Sequence, residues 1–410
     1  MYLGYRRNKG RKFHMVTVEE ASRIILSNPI RCATEVIPLH GCIGKVLAEE
    51  IVADRPFPPF DRVSMDGIAI SFEAYARGVR TFPIEGIQAA GQPALTLSAK
   101  DSCIEAMTGS MLPGGTDTVI RYEDLTIANG HATVNENVVT GQNVHKTGLD
   151  ASKSQVLLHH GMIISSAEVA LLASVGKANV TVMLYPSAAV ISTGDELVDV
   201  TETPFPHQIR KSNVFAIQAG MRQMGWAADV FHIRDNKEDI QKQLSALLSE
   251  YDVLVLSGGV SRGKFDFVPE VLGTLGVVKH FHQVSQRPGK PFWFGSTASG
   301  KTVFALPGNP VSTFLCFFKY VKPWMLKSAG ADLAVSYASL DSDFSFGPRI
   351  TYFLQVKVRN INGELVATPV AGGGSGDFAN LKDVTGFIEL PAESSEFRKG
   401  QIFPYIPFRQ

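Results

Sequence analysis

The sequence predicts a multidomain protein of the α/β plus β class: a central doubly wound parallel α/β domain, an N-terminal helical/β region, an inserted β domain and a small C-terminal β domain. Two observations lead to this prediction. From residue 187 to about residue 330, apolar strand-like runs alternate with helix-like segments, which is typical of a parallel sheet with helices on both faces. Before and after this region, short strand-like runs are broken by Gly, Pro and Asn, which favours β structure. The chain has 410 residues, more than one hydrophobic core usually serves, so several domains are expected.

The N-terminal region is predicted to begin with a helix. Residues 17–20, Thr-Val-Glu-Glu, have the capping-box pattern, and apolar residues follow on one helical face. A second helix start at Ser165 precedes apolar residues and Gly176, a residue type favoured just after a helix C-terminus. Residues 1–14 carry basic side chains but no apolar run of a signal peptide follows, so we expect a terminal tail there.

Two regions are predicted to consist of β structure. In residues 51–144, Asn129-Gly130 lies between the strand-like runs LTIA and HATV, which indicates a hairpin because Asn and Gly tolerate the positive φ of its turn. From about residue 331 to the end, Asn362-Gly363 joins ITYFLQVKV to ELVATPV in the same way. A Gly-rich turn and more strand-like sequence follow.

The central region contains four strand-like runs, each followed by a helix-like segment. The strands are AAVIS, ADVFHI, DVLVLS and TVFAL, and the helix-like segments cover residues 213–224, 237–250, 267–275 and 311–328. Ligands of such sheets bind beyond the carboxyl ends of the strands. The loops after these four strands are therefore the expected functional site.

Composition and charge exclude several classes of protein. Lys plus Arg (39) balance Asp plus Glu (39), so no overall electrostatic field favours nucleic acid or an anionic membrane. No run reaches the roughly 18 apolar residues that a membrane span needs. The cysteines form no CxxC pair, which disfavours a zinc site or a disulfide framework and favours a reducing cytoplasm. They are Cys32, Cys42, Cys103 and Cys316.

The loops after the four strands carry glycines, prolines and carboxylates. They contain TGDE at 193–196, RD at 234–235, GGVSRGKFD at 258–266 and PGNP at 307–310. Glycine-rich loops at helix N-termini suit phosphate or another oxyanion, because several backbone N–H groups can point at it. Carboxylates would repel that anion unless a divalent cation lay between them, and Mg²⁺ prefers such oxygen ligands. A single loop of this kind is commonly just a turn, but four at one sheet edge predict metal-assisted phosphate chemistry.

One of these loops nearly matches a phosphate-binding P-loop. Residues 258–264 fit GxxxxGK, but Phe265 replaces the Ser or Thr that holds Mg²⁺, so a P-loop ATPase is disfavoured. Asp266 is then a candidate metal ligand, with capping of the following helix as the alternative. Arg287 and Lys290 lie in an RPGKP segment that suits an oxyanion clamp, although solvated surface charge would also explain them.

Several motifs, in this order, resemble the MoeA family of molybdopterin molybdenumtransferases, to which the E domain of gephyrin is related. The most specific are PPFDRVSMDG at 58–67, MTGSMLPGGTDTVIRYED at 107–124, STGDEL at 192–197, SGGVSRGKFD at 257–266, RPGKP at 287–291 and LPGNPVS at 306–312. The resemblance covers nearly the whole chain after Met15. It implies a homodimer of four-domain subunits, with the second domain inserted into the first.

The resemblance also implies a division of the chain and a reaction. Residues 15–50 and 145–182 form a discontinuous N-terminal dimerisation domain, 51–144 the inserted β domain, 183–330 the molybdopterin-binding α/β domain and 331–410 the C-terminal β domain. The implied enzyme is a cytoplasmic transferase with Mg²⁺ as cofactor. It combines molybdate with adenylylated molybdopterin, which a molybdopterin adenylyltransferase supplies, and gives molybdenum cofactor and AMP.

Matching positions carry over the family's functional residues. The implied catalytic positions are Asp66, Thr108, Glu196, Asp235 and Asp266, of which the last three are the implied Mg²⁺ ligands. The substrate-binding candidates are the glycine-loop and RPGKP residues Gly258, Gly259, Ser261, Arg287 and Lys290, with the carried-over Pro307, Pro310, Arg349 and Ser375. Asp66 and Thr108 are expected to reach the site from the partner subunit.

The chain departs from the family pattern at a few positions. Arg62 adds a cation beside the PPFDRVSMDG motif, Gln283 stands where some members carry Lys, and Arg287 replaces the first Lys of KPGKP. Arg keeps the positive charge with a different geometry, whereas Gln removes it. Two other functions stay open: a non-catalytic pterin-binding or scaffold member of the same fold, and a nucleotide-hydrolysing enzyme. The retained carboxylates argue against a pure scaffold.

Overall fold

The computed structural model describes residues 15–261 and 266–409. The chain divides into two compact units, which we call the β unit and the α/β unit. The β unit comprises Glu49–His159 and Ser166–Ala178, and the α/β unit comprises the other described residues: those up to Ala48, His160–Ser165 and those from Asn179 onward. The expected tail at 1–14 and residues 262–265 of the near P-loop lie outside the described residues. The finer four-domain division stays a prediction.

The helices of the described chain are numbered in sequence order. They are α1 (Val18–Leu26), α2 (Phe72–Ala76), α3 (Ser166–Ser174), α4 (Asn213–Gln223), α5 (Lys237–Glu250), α6 (Val268–Thr274), α7 (Pro310–Cys316) and α8 (Lys322–Ser328). A π-helical turn at Phe317–Val321 joins α7 to α8, and 3₁₀ turns occur at Leu39–Gly41, Tyr122–Asp124 and Phe378–Lys382.

The strands are numbered in the same way. They are β1 (Ala33–Pro38), β2 (Ile51–Val52), β3 (Arg62–Val63), β4 (Gly67–Ile70), β5 (Thr81–Gln88), β6 (Cys103–Ala106), β7 (Thr118–Arg121), β8 (Leu125–Ala128), β9 (His131–Val134), β10 (Val144–His145), β11 (Val156–Leu158), β12 (Asn179–Leu184), β13 (Ala188–Thr193), β14 (Leu197–Val198), β15 (Ile209–Arg210), β16 (Asp229–Ile233), β17 (Val253–Ser257), β18 (Val278–His282), β19 (Gln286–Arg287), β20 (Trp293–Ser296), β21 (Thr302–Leu306), β22 (Ser336–Leu340), β23 (Phe344–Ser345), β24 (Thr351–Ile361), β25 (Glu364–Pro369), β26 (Gly386–Leu390), β27 (Glu396–Phe397) and β28 (Ile402–Pro407).

Both helix starts predicted from capping patterns are confirmed. At the start of α1, the Thr17 hydroxyl accepts from the Glu20 N–H at 3.1 Å, and the Glu20 carboxylate accepts from the Thr17 N–H at 2.8 Å. These two bonds satisfy N–H groups that the first helical turn leaves without partners. Helix α3 begins directly after Ser165, and Gly176 beyond its end has a φ of 76°.

The β unit is built around a six-stranded sheet with the strand order β7-β4-β6-β5-β9-β8. Its neighbours are antiparallel except for the parallel pair β5 and β6. The predicted hairpin is confirmed, because β8 and β9 pair through Asn129 and Gly130, whose φ angles are 51° and 72°. Ile68, Phe82 and Ile120 are fully buried in its core.

The α/β unit contains the predicted parallel sheet. The strand order is β16-β13-β17-β21-β20-β18, and the first four strands, which match the four predicted runs, are parallel. Two antiparallel strands, β20 and β18, extend one edge and were not predicted from the pattern. The predicted helices are also confirmed, with the segment expected at 311–328 divided by the π-helical turn into α7 and α8.

Apolar residues on both faces of this sheet explain why helices cover it on both sides. Successive residues of β13 point to opposite faces. Ala188 and Val190 contact one cluster of buried residues, which includes residues of α4, α7 and α8. Ala189 and Ile191 contact the other cluster, which includes residues of α5 and α6. The loops that follow the carboxyl ends of the strands lie at one edge of this sheet, where a ligand site was expected.

The C-terminal part of the α/β unit is a small closed barrel. Strands β24-β25-β22-β28-β26 are neighbours in that order, and β26 also pairs with β24, which closes the ring. The turn between β24 and β25 uses Asn362 and Gly363 with φ angles of 53° and 94°, as predicted. Strand β19 adds to β24 in parallel and so joins the RPGKP segment to the barrel. No helix of the described residues is long and apolar enough to cross a membrane.

Candidate functional site at the carboxyl ends of the sheet

A cavity of about 1270 Å³ opens at the carboxyl ends of the parallel strands. Each of the four strands contributes a residue at or just beyond its end: Thr193, Asp235, Gly258 and Pro307. The predicted loops therefore converge, because parallel strands end at the same edge of the sheet.

Three of the predicted carboxylates, Glu196, Asp235 and Asp266, line this cavity. Burial raises the pKa of Asp235, and the negative charges of Glu196, Asp195 and Asp266 raise it further. Asp195 does not line the cavity but accepts a hydrogen bond from the Asp235 N–H at 3.2 Å. Within the described residues, no group of three His, Cys, Asp or Glu side chains is arranged to hold a metal ion. The carboxylates lie near one another without forming a complete metal cage.

Gly258 and Gly259 give the loop after β17 a shape that other residues would not adopt. Their φ angles are 104° and 69°, in the left-handed region. A Cβ atom on Gly258 would lie 2.8 Å from the Thr193 hydroxyl oxygen, and one on Gly259 would lie 2.7 Å from a methyl group of Val268. The His282 ring, 3.0 Å from the Val260 carbonyl oxygen, holds the next residue of the loop. The glycines thus keep backbone, not side chains, at this wall of the cavity.

Asp266 lies at the end of the same loop and is not a helix cap. The residue at the N-cap of α6 is Phe267, whose side chain makes no capping hydrogen bond. The Ser261 hydroxyl donates to the Asp266 carboxylate at 2.5 Å, so the two predicted residues are in contact. The capping alternative for Asp266 is therefore wrong, and its carboxylate faces the cavity.

The predicted cations Arg287 and Lys290 line the cavity, and a buried amide shapes their loop. Gln286 is 1% exposed and donates to the carbonyl oxygens of Pro288 at 3.1 Å and Gly289 at 3.3 Å. The Tyr320 hydroxyl donates in turn to the Gln286 side-chain oxygen. A fully satisfied buried amide of this kind fixes the turn that carries both cations.

Gln283, by contrast, does not line the cavity. Its side chain is 7% exposed, its φ is 82°, and its N–H donates to the Phe292 carbonyl at 2.8 Å. Gln283 itself is therefore not part of the cavity wall.

The proline loop and one of the two C-terminal candidates meet at the cavity. Pro307, Pro310 and Ser375 line it. The Asn309 amide donates to the Ser375 hydroxyl at 2.7 Å, and the Val311 N–H donates to the Ser375 carbonyl at 3.1 Å. Arg349 is exposed and is not among the cavity-lining residues.

Asp66 and Thr108 form a pair within the β unit. Asp66 Oδ1 accepts from the Thr108 N–H at 2.6 Å and from the Thr108 hydroxyl at 2.7 Å. These two hydrogen bonds lower the pKa of Asp66. The added cation, Arg62, lies 3.1 Å from His145, which also contacts the Asp150 carboxylate. The structure thus brings the two motifs together, and the functional role of the pair stays a prediction.

Several cavity residues were not predicted from the sequence. The Asn213 amide donates to the Gly308 carbonyl at 2.7 Å and to the Ser257 hydroxyl at 2.9 Å, which ties two strand-end loops together. Lys211 beside it is paired with Asp199 at 3.4 Å. The Ser-Asn dipeptide before an apolar helix is a capping signal that could have identified this position. Gln286 carries no such signal, because its burial depends on Tyr320 and Cys316, about 30 positions along the chain.

Three family models together match most of the chain. The MoeA N-terminal region (domains I and II) matches residues 16–176, a probable molybdopterin binding domain matches 189–327, and the MoeA C-terminal region (domain IV) matches 337–408. The cavity-lining carboxylates and the RPGKP loop fall in the second match.

Curated relatives and solved structures are similar over nearly the full length. The molybdopterin molybdenumtransferase of Synechocystis sp. is 38% identical over 95% of this chain and 99% of its own, and that of Bacillus subtilis is 32% identical over 96% and 94%. The structure of a molybdopterin biosynthesis MoeA protein from Pyrococcus horikoshii has a TM-score of 0.84 and 27% identity, covering 96% of this chain and all of that one.

Proposed function

The chain belongs to the MoeA family, and on that premise we propose that it is a molybdopterin molybdenumtransferase of molybdenum cofactor biosynthesis. The proposed reaction is the Mg²⁺-dependent insertion of molybdate into adenylylated molybdopterin, with release of AMP. The names of the relatives support the enzyme class. The four free cysteines agree with a reducing compartment such as the cytoplasm.

The cavity supports this reaction because it brings opposite charges to one place. The carboxylates of Glu196, Asp235 and Asp266 and the cations Arg287 and Lys290 all line it. A ligand that carries phosphate and a divalent cation would meet complementary charge at both parts of the wall. A scaffold protein gains nothing from a carboxylate such as Asp235, whose pKa is raised by burial and by the neighbouring negative charges.

The residues present fit Mg²⁺ only in combination with ligand oxygens. Mg²⁺ is commonly held by one or two carboxylates, with waters and substrate phosphates completing its octahedron. Glu196, Asp235 and Asp266 offer such carboxylates, and the described residues form no closed three-ligand cage. When bound there, the metal would neutralise phosphate charge and polarise the bond that is cleaved.

The residues of the chain then have distinct tasks around the phosphates. The backbone of Gly258 and Gly259 binds phosphate oxygens, because no side chain stands between the loop and the cavity. Arg287 and Lys290 bind the oxyanions from the other wall and orient them. The Ser261 hydroxyl donates a hydrogen bond to the Asp266 carboxylate and so holds that carboxylate in place.

We also propose that the active form is a homodimer. Asp66 and Thr108 of one subunit would complete the cavity of the other, as the family resemblance implies. A symmetric interface is the commonest way for two identical chains to do this.

The decisive experiment is an assay with adenylylated molybdopterin, molybdate and Mg²⁺. AMP release, together with activation of a metal-free molybdoenzyme by the product, would support the proposal. Binding of the substrate without AMP release would favour the scaffold alternative. Release of ADP and phosphate from ATP, with no effect on the adenylate, would favour a nucleotide-hydrolysing enzyme.

A further inference from the structure

Two aromatic side chains of the barrel region line the cavity and have no task in the proposed function. They are Phe344 on β23 and Tyr352 on β24. Their rings are parallel within 1° with centroids 5.8 Å apart. Phe346 stacks on Tyr352 at 4.1 Å and 14°. The Tyr352 ring is therefore nearly parallel to both phenylalanine rings, and Phe344 and Tyr352 reach the cavity.

The backbone holds these rings in place. Phe344 pairs with Phe397 across β23 and β27, and Tyr352 pairs with Leu390 across β24 and β26. Phe344, Phe346 and Tyr352 pack as partly buried side chains against the barrel core. A rigid aromatic surface costs little conformational entropy when a ligand binds to it.

A cation and a free hydroxyl lie beside this surface. Arg287 is the direct neighbour of Tyr352 across β19 and β24, and its guanidinium carbon is 6.0 Å from the Phe346 ring centre. Within the described chain, the Tyr352 hydroxyl has no hydrogen-bond partner, and burial raises the pKa of Tyr352, which keeps the hydroxyl protonated. The surface thus offers a π face, a hydrogen-bond donor and an adjacent positive charge.

We propose that Phe344 and Tyr352 form a stacking platform for a planar heteroaromatic ring joined to a phosphate. The ring stacks on the π faces, and Arg287 binds the phosphate that follows it. This inference rests on the proposed function, whose substrate carries two such rings, adenine and pterin. Adenine and pterin are both flat, polar ring systems next to a phosphate, and the test below shows which of the two stacks on the platform.

The test compares Phe344→Leu with wild type in binding and turnover. Leucine keeps apolar volume but removes the π face, and the loss of one base–aromatic stack weakens binding by about 5- to 100-fold. We expect the KM for adenylylated molybdopterin to rise by such a factor while kcat changes less. Phe344→Trp, which enlarges the π face, should restore the wild-type KM.

Calorimetric titration with AMP identifies the ring. If the Kd of AMP rises in Phe344→Leu while that of ribose 5-phosphate does not change, adenine is the stacked ring. If only the KM of the complete substrate rises, the ring is the pterin. Tyr337→Leu serves as the control, because Tyr337 is an exposed aromatic residue on β22 of the barrel and does not line the cavity.

Two outcomes would overturn the platform. One is an unchanged KM and an unchanged AMP Kd in a Phe344→Leu protein that melts like wild type. The other is a wild-type protein that binds neither AMP nor the complete substrate. A wild-type protein that binds AMP through Phe344 but releases none from the adenylate would contradict the proposed function and leave the platform standing.

Discussion

At the scale of single residues, the cavity pairs groups that repel one another in the absence of a ligand. Asp235 is the clearest case, because burial and the three neighbouring carboxylates all raise its pKa. A raised carboxyl pKa means that the ionised form costs folding free energy at every pH above the ordinary aspartate range. Such a cost is common where a site is arranged for binding and not for stability.

Asp235→Asn should therefore stabilise the metal-free protein. We expect a melting temperature about 1–3 °C higher than that of wild type at pH 7.5, with Mg²⁺ raising the melting temperature of wild type more than that of the variant. The gain should shrink as the pH falls through the raised pKa of Asp235, because the wild-type carboxyl is then neutral as well. The difference in melting temperature is measured by thermal unfolding followed by circular dichroism, with Asp332→Asn, a change at an exposed aspartate, as the control. An Asp235→Asn protein less stable than wild type at pH 7.5 would show that the ionised Asp235 carboxylate does not destabilise the fold.

Asp266→Asn should separate cleavage from binding. The amide keeps the shape of the side chain but removes the charge, and loss of one preorganised electrostatic contact commonly costs on the order of 100-fold in rate. The start of α6 should be unaffected, because Phe267 occupies the N-cap. AMP release at limiting Mg²⁺ is the measurement. Glu270→Gln is the matched control, because Glu270 is an exposed acid of the same helix, paired with Lys237. Near-normal release from folded Asp266→Asn would remove Asp266 from the reaction.

At the scale of elements, the loop after β17 depends on backbone geometry that only glycine provides. In Gly259→Ala, the alanine would have to keep a positive φ, and its methyl group would lie too close to Val268. We therefore expect a loss of about 1–3 kcal/mol in the free energy of unfolding and weaker phosphate binding. Gly273→Ala is the control, because nothing lies within 4 Å of its Cβ position in α6. That control should be neutral or more stable by about 0.5–1 kcal/mol. Denaturant unfolding checks both, and equal effects would show that the loop has no special constraint.

How well each element was predicted follows from where its stabilising contacts come from. Strand β13 was predictable because residues on both of its faces are buried, which gives an unbroken apolar run. Strand β18 was missed because only Phe281 in it is buried, and β20 was missed because it is only four residues long. The predicted carboxylates lie at strand ends and could be located from the sequence. Gln286, Phe344 and Tyr352 could not, since their placement depends on strand pairing between segments more than 50 positions apart: β19 with β24, and β23 with β27.

At the scale of the whole molecule, the proposal of a homodimer has a direct test. Light scattering at micromolar concentration should give twice the subunit mass. Mixing Asp66→Ala protein with Asp266→Asn protein should restore part of the activity, because one mixed site would then be intact. The unmixed variants are the controls. A monomer with full activity, or no recovery in mixtures shown to exchange subunits, would contradict a shared site.

The pairing of β19 with β24 joins the RPGKP segment directly to the C-terminal barrel. Arg287 and Tyr352 are neighbours in this ladder, and the Thr351 N–H adds a hydrogen bond to the Ser285 carbonyl at 3.2 Å. Arg287 and Tyr352 are therefore held at a fixed spacing by the backbone that carries them. A ligand that contacts both residues meets one preformed surface, whose cationic and aromatic parts need not be brought together when the ligand binds.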